Sequence, residues 1–526
     1  MNKIKTLRTI LISLILIMLG SIITRYVDTK QMKQMSVNSH NWDKLTLILE
    51  QIDNNYVDSV NYSNIIEKTL PHLMKELDPH SLYLPAENLK SANEELDGNF
   101  DGIGIVFNVP SDTAVVINVI VGGPSERAGL LSGDRIMEVD GKKVAGVKIS
   151  QDTLVSYMRG RAGTKVNLKV LRGYDIVSFD ITRDKIPVKS VDIAYMVNDT
   201  TAYIKLSKFA RTSYIEFMKA MIPFKEAGMK KLIFDLRDNT GGYLDQALLL
   251  SNEFLEKGKL IVYMEGRNRS RQDFKADGGG KFKDVDLAVL INENSASSSE
   301  IFAGAIQDND RGLIYGRRSF GKGLVQESIN FSDMSGIRLT VARFYTPTGR
   351  SLQKPYTMAD GKDYSYDIIE RYQHGEMTDV DSIPKNDSLV YTTPKGKKVY
   401  GGGGITPDVF VPIDTIGVTD LLVNINRKAL LIKFSIDVSD QYRKSLREVK
   451  DIDSLNALLD TMDLENRFVS YLHKNSIKIV KSQWNISKDI MLLQIRAMVG
   501  RYSVLDDAAF YPIIAPLDNV IQKVLE

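Results

Sequence analysis

Residues able to do covalent chemistry cluster between Asn292 and Gln326. The stretch begins Asn292-Glu-Asn-Ser295-Ala-Ser297-Ser-Ser-Glu300-Ile and ends Ser319-Phe-Gly-Lys322-Gly-Leu-Val-Gln326. An apolar run from Leu287 to Ile291 precedes it and predicts a buried strand. After the small-residue turn, Ile301, Phe302, Ala305 and Ile306 share one face of a helical pattern. Ser297 is thereby the candidate for the point where a strand hands over to a helix. The first N–H groups of a helix lack intrahelical partners, and the positive end of the helix dipole lies there. Both would stabilise negative charge forming on an oxygen beside the serine.

A serine hydroxyl needs a base to take its proton. No histidine lies between Ser297 and His374, and the chain holds five in all. A lysine can serve if it is neutral. At an ordinary pKa of about 10.4, roughly one lysine in a few thousand is neutral at pH 7. A useful base needs a pKa near ~7–8, a shift that costs about 4 kcal/mol of lost charge stabilisation. Burial and a nearby positive dipole supply such shifts. Lys322 fits, because Phe320, Leu324 and Val325 surround it, no acid adjoins it, and Gly321 and Gly323 flank it. In a strand Lys322, Leu324 and Gln326 would share a face, so a neutral amide could hold the amine without charging it.

Two blander readings compete. A Ser/Gly turn between strand and helix is commonly just an N-cap, and the coupled lysine and glutamine are what lift this one above that. Gly316-Arg-Arg-Ser-Phe-Gly-Lys322 nearly matches a phosphate loop, but Gly323 stands where a magnesium-binding hydroxyl is required. The following Leu324–Ile329 alternates like a strand instead of opening a helix, which excludes that reading.

The Ser-Ala-Ser297-Ser-Ser-Glu motif, its interval to Phe-Gly-Lys322-Gly, and Gln326 together resemble the C-terminal processing peptidases, or tail-specific proteases. The resemblance covers about Asn41 to Val411. It implies a Ser-Lys-Gln constellation with Ser297 as nucleophile, Lys322 as base and Gln326 orienting the lysine. Arg237-Asp-Asn-Thr-Gly241-Gly242-Tyr is similar to the family's glycine turn. By that resemblance Gly241 or Gly242 would donate one backbone N–H to an oxyanion, with the N–H of Ser298 as the other. Further upstream, Phe100-Asp-Gly102-Ile103-Gly104-Ile105 resembles the carboxylate-binding loop of a PDZ domain. Gly122-Gly-Pro-Ser-Glu-Arg-Ala-Gly129 and Gly133-Asp134-Arg-Ile-Met-Glu-Val-Asp140-Gly141 match PDZ signatures as well. Gly102 and Gly104 would let backbone N–H groups converge on a terminal carboxylate, and the adjoining strand could accept a peptide by β-addition.

The elements that must position these residues follow from the rest of the chain. Its 526 residues, 43% hydrophobic and 25% charged, suffice for two to four domains. A net charge of +2 gives no reason to expect nucleic acid. The absence of cysteine excludes disulfides, thiolate catalysis and cysteine-ligated zinc. No cofactor and no metal are implied. Lys3, Lys5 and Arg8 precede an apolar run from Ile10 to Ile23, which reads as an uncleaved signal anchor over 1–27 with the body outside the cytoplasm. A helical region follows over 28–97, with Leu45, Ile48, Leu49 and Ile52 on one face. His80, after Pro79, reads as a turn histidine binding local backbone. Residues 98–185 form the PDZ-like β domain.

A peptidase core over 186–415 alternates strands and helices, predicting a mostly parallel sheet with right-handed crossovers. The resemblance makes it a crotonase- or Clp-protease-like α/β core. Within it, the polar, Tyr- and Asp-rich 351–400 reads as an inserted, partly mobile excursion near the active site. Residues 416–526 read as helices for packing or a homo-oligomer contact.

The expected molecule is an envelope-anchored serine endopeptidase acting on proteins with accessible, apolar C-terminal tails. The rival from another class is a binding or scaffold protein that keeps the fold without cleavage. A weaker rival is an acyl-transfer enzyme on the same core.

Overall fold

In the computed structural model, residues 41–356 and 361–526 are described. The signal-anchor expectation for 1–27 lies outside them. Among the described residues no helix is long and apolar enough to cross a membrane. The chain divides into two compact units, Met1–His72 and Leu73–Glu526. In the first, helix Asn41–Asn55 is followed by the start of helix Tyr62–Lys75, and Tyr62 Oη donates to the Leu49 carbonyl at 3.2 Å. Leu45 and Ile48 on the first helix are 52% and 49% exposed, so the apolar face predicted there is not buried within its unit.

The second unit opens with a strand, Leu82–Leu84, and a helix, Ala86–Asp97. A PDZ-like sheet follows. Its strands run Ile105–Asn108, Ala114–Val119, Arg135–Val139, Lys165–Arg172 and Asp175–Thr182, all antiparallel, with the short Lys142–Lys143 added to Arg135–Val139. Alternation puts Val166, Leu168 and Val170 on one face. There they meet Ile136, Ile181 and, from helix Gln151–Met158, Leu154. The chain enters and leaves this sheet through one two-stranded pairing, Asn99–Gly102 against Asp184–Pro187.

The α/β core is a six-stranded sheet. Its order is Val191–Met196, Thr201–Leu206, Lys231–Asp235, Asp286–Ile291, Leu313–Gly316 and Val409–Phe410. The first pair is antiparallel and the other four pairings are parallel. Strands buried on both faces read as continuous apolar runs, as Leu-Ala-Val-Leu-Ile to Ile291 does. One face packs Phe217, Leu250 and Phe302 from helices Ser213–Glu226, Leu244–Asn252 and Ser298–Asp308. The other is covered by Val520, Ile521 and Val524 of helix Asn519–Leu525.

Leu260–Gly266 lies outside the parallel sheet. It joins an antiparallel one with Arg269–Lys275, Gly336–Tyr345, Leu324–Asn330 and Leu82–Leu84. Some described residues of the polar 351–400 are buried, although most are exposed or half-buried. Tyr364, Arg371, Glu376, Met377 and Ile383 are buried there, the charged pair satisfied by each other and by Arg318. The helices from Asp420–Arg427 to Asp507–Ile514 form a bundle around Ile425, Val438, Phe468, Met491 and Ile495.

Candidate functional site

Ser297 is the residue immediately before helix Ser298–Asp308, at the end of the turn that leaves strand Asp286–Ile291. Its φ of 55° and ψ of −114° lie where a residue with a side chain is held only by its surroundings. Those surroundings are dense. Asn292 N–H donates to Ser295 Oγ at 2.9 Å, and that hydroxyl donates to the Leu236 carbonyl at 2.8 Å. Asp238 Oδ1 accepts from the side-chain amides of Asn292 and Asn294 at 2.8 and 2.9 Å. Ala296 N–H and Ser299 Oγ both reach the Asn239 carbonyl. The serine turn is thus sewn to the glycine turn by side chains from both.

The glycines are sterically required. A Cβ on Gly241 would stand 2.7 Å from Ser297 Cβ, and one on Gly242 would stand 2.2 Å from the Phe209 carbonyl oxygen. Their φ angles, +102° and +146°, also disfavour a side chain. The two are not equivalent as donors. Gly241 N–H is already given to Asn239 Oδ1 at 2.9 Å. The N–H groups of Gly242 and Ser298 donate to no group among the described residues. Ser298 Oγ is itself committed, donating to the Gly242 carbonyl at 2.9 Å.

Glu300, quoted in the motif but given no role there, joins the two halves of the site. Its Oε2 accepts from the backbone N–H of Ser297 at 2.9 Å and of Lys322 at 2.8 Å. One oxygen therefore fixes both backbones, and their nitrogens lie no further apart than those two distances combined. Its Oε1 takes Gly321 N–H at 2.7 Å and Ser319 Oγ at 2.5 Å. Burial pushes this carboxyl above the ordinary glutamate range, and its four donors pull it back.

Lys322 Nζ donates to Gln326 Oε1 at 3.0 Å, and no carboxylate pairs with it among the described residues. Burial lowers its pKa below the ordinary lysine value, and the positive charge of Arg338 adds to the effect. Glu300 and Asp78 oppose it. The strand begins at Leu324, after the lysine, and its pairing register shifts between Val325 and Gln326. Lys322 lies outside the strand, so alternation alone does not carry Gln326 to it; the extra residue at the shift, Val341, is on the partner strand. Gln326 Nε2 donates in turn to the backbone carbonyl of His80. His80 lies in the turn expected from Pro79, its N–H on Asp78 Oδ1 at 2.8 Å. Its ring goes elsewhere, pairing Nε2 with Tyr364 Oη at 2.8 Å. Burial first, then Lys322, lowers its pKa to about 4.

These groups line one cleft of about 1100 Å³ that includes Ser297, Ser298, Gly241, Gly242, Lys322 and Gln326. Leu244, Leu248, Met264, Phe274, Val325 and Phe344 give it an apolar wall. Such a cleft holds a hydroxyl, an amine whose charged form burial disfavours, and two N–H donors. The loop Gly102–Ile105 does not line it. There Ile103 is a core residue, 3% exposed, Gly104 takes a φ of +74°, and both carbonyls are tied down, to Ser125 and Ile120 N–H at 3.0 Å each.

Comparison with known proteins finds three matches to described families: peptidase family S41 over residues 200–362, a PDZ domain over 102–182, and a family of unknown function over 421–504. A Staphylococcus aureus (strain MRSA252) protein named "Probable CtpA-like serine protease" is 35% identical over 330 residues. That match spans 62% of this chain and 66% of the relative, just under two thirds of its length. The "Carboxy-terminal processing protease CtpA" of Bacillus subtilis (strain 168) is 31% identical over 386 residues, 71% of this chain and 82% of its own. Among solved structures, a photosystem II D1 C-terminal processing protease aligns at 23% identity and a TM-score of 0.38, over 72% of this chain and 90% of its own.

Proposed function

Because this chain belongs to the carboxy-terminal processing proteases of peptidase family S41, we propose that it is a serine endopeptidase that captures protein C-terminal tails and cleaves them with a Ser-Lys pair. Ser297 Oγ attacks the peptide carbonyl while Lys322 Nζ takes its proton. The N–H groups of Gly242 and Ser298 receive the oxyanion, since Gly241 has given its own to Asn239. Lys322 returns the proton to the leaving amine, and water, activated by the same amine, releases the acyl group from Ser297. Gln326 accepts one amine hydrogen and leaves the nitrogen lone pair for the serine.

The observation that carries this reading is the environment of Lys322. Its partner is a neutral amide, burial favours its uncharged form, and it shares a cleft with Ser297. The apolar wall supports an apolar residue at the scissile position. The loop Gly102–Ile105 is the reading for tail capture, and 98–185, 186–415 and 416–526 for the divisions of the body. An envelope location, held by 1–27, rests on the basic-then-apolar sequence there.

The test is digestion of an apolar-tailed peptide by wild type, Ser297→Ala and Lys322→Ala. Each variant is expected to lose at least about a thousandfold in kcat/KM. Cleavage by Lys322→Ala at the wild-type rate would remove the lysine from the mechanism. Unchanged cleavage by Ser297→Ala would remove the serine.

A further inference from the structure

A chain of hydrogen bonds leaves the backbone next to Lys322 and comes back to the tip of its side chain. Gly323 N–H donates to Gln353 Oε1 at 2.9 Å, and Gln353 Nε2 donates to Tyr364 Oη at 3.2 Å. Tyr364 Oη pairs with His80 Nε2 at 2.8 Å. The carbonyl of His80 accepts Gln326 Nε2, and Gln326 Oε1 accepts Lys322 Nζ. Tyr364 belongs to helix Gly361–Gln373, within the segment that composition alone reads as a loose excursion.

The direction of the Gln326 amide matters. Turned over, its NH2 would face Nζ and donate into the lone pair that Ser297 needs. A backbone carbonyl accepts and never donates, so the His80 carbonyl takes the NH2 side and leaves the oxygen for the lysine. What keeps that carbonyl in place comes from two directions. Asp78 Oδ1 accepts from the N–H of both His80 and Ser81 at 2.8 Å, and Ser81 Oγ donates to Asp78 Oδ2 at 2.6 Å. The imidazole packs edge-on between Tyr364 and Phe320, centroids 5.0 and 6.5 Å away.

Tyr364 is 7% exposed and firmly seated. Lys354 Nζ lies 4.1 Å from the ring centres of both Phe320 and Tyr364, and donates to Tyr364 O and Asp367 Oδ2. At the far end of the helix, Arg371 donates to the carbonyls of Arg318 and Ser319. The helix is thus bolted to the segment that leads into Lys322.

Resting on the Ser-Lys reading above, we propose that Tyr364 is a positioning residue for the base: through His80 it holds the Gln326 amide with its oxygen toward Lys322. The inserted helix is then part of the proton-transfer apparatus.

The experiment measures kcat and kcat/KM against pH for wild type, Tyr364→Phe and, as a control, Lys322→Ala, on one tailed peptide. Tyr364→Phe keeps the ring and removes only the hydroxyl, and melting curves check that it folds. The charged and titratable groups facing Lys322 are Arg338, Glu300, Asp78 and His80, with Lys354 facing His80; of these the substitution touches only His80, which loses the bond to its Nε2. With the amide free to turn, the plateau of kcat is expected to fall about fivefold with KM unchanged. Loss of an acceptor that favours the charged amine moves the acid limb down, by about half a pH unit. His80→Leu removes the same bond from its other end and is expected to give the same pair of changes. A limb that stays put or moves up in both variants overturns the proposal, whatever happens to the plateau, and so does an unchanged plateau. Lys322→Ala cleaving like wild type would instead overturn the Ser-Lys reading itself.

Discussion

Lys322 can act as a base only while its nitrogen keeps a lone pair, and every described neighbour bears on that condition. Arg338 and burial favour the neutral amine, Asp78 and Glu300 oppose it, and Gln326 contributes an oxygen without a charge. Gln326→Glu gives that oxygen a charge and also removes the N–H that Gln326 donates to the His80 carbonyl. A carboxylate at 3.0 Å favours the ammonium form, so the folded-state pKa of Lys322 rises. The proposed mechanism requires the deprotonated form, so the acid limb of kcat/KM is expected to move to higher pH. A shift of one unit or more is expected, with at least about a tenfold loss at neutral pH and recovery under alkaline conditions. A pH–rate profile that merely drops, without shifting, would refute this. The need for an uncharged holder was legible in the sequence, because residue type alone carries it. The roles of Glu300 and His80 were not. Glu300 acts by accepting backbone N–H groups, and His80 by offering a carbonyl that any residue type possesses.

At the scale of elements, two turns carry the N–H groups proposed to receive the oxyanion, and one of them tolerates no side chain. Gly242→Ala would drive a Cβ to 2.2 Å from a backbone oxygen at a φ of +146°. The turn must move, and with it the N–H proposed to meet the oxyanion. Activity is expected to fall by at least about a hundredfold and stability by about 2 kcal/mol or more, read from peptide turnover and denaturant unfolding. A fully active Gly242→Ala enzyme would place the donor elsewhere. Strand–helix alternation announced the parallel sheet, because hydrophobic runs and helical periodicity are local signals. It could not say that Leu260–Gly266 pairs with a different sheet, since alternation does not name a partner. The segment around Tyr364 gave no such local signal either. It is held by ion pairs and aromatic contacts, Arg371–Glu376–Arg318 and Lys354 over two rings, and little of it has the apolar pattern of a core.

Across the whole second unit, the helical bundle grips the PDZ-like sheet by charge. Asp134, fully buried, pairs with Arg172 of its own sheet at 2.6 Å and with Arg443 of the bundle at 3.2 Å. Arg135 reaches Asp440 at 2.6 Å, and Arg443 also binds Asp440 at 2.8 Å. Arg443→Ala leaves Asp134 with Arg172 alone and is expected to cost about 1–2 kcal/mol in unfolding free energy. A melting temperature equal to wild type would show the contact to be idle. The two pairs that cross from sheet to bundle, Asp134–Arg443 and Arg135–Asp440, join residues some 300 positions apart, so nothing in the local sequence marked them. The paired strands Asn99–Gly102 and Asp184–Pro187 have a different consequence. Because the path out and the path back lie side by side, everything between them is a cassette on a double-stranded handle. A replacement cassette would plug into the same handle, provided it also kept an acid and an arginine where Asp134 and Arg135 meet the bundle.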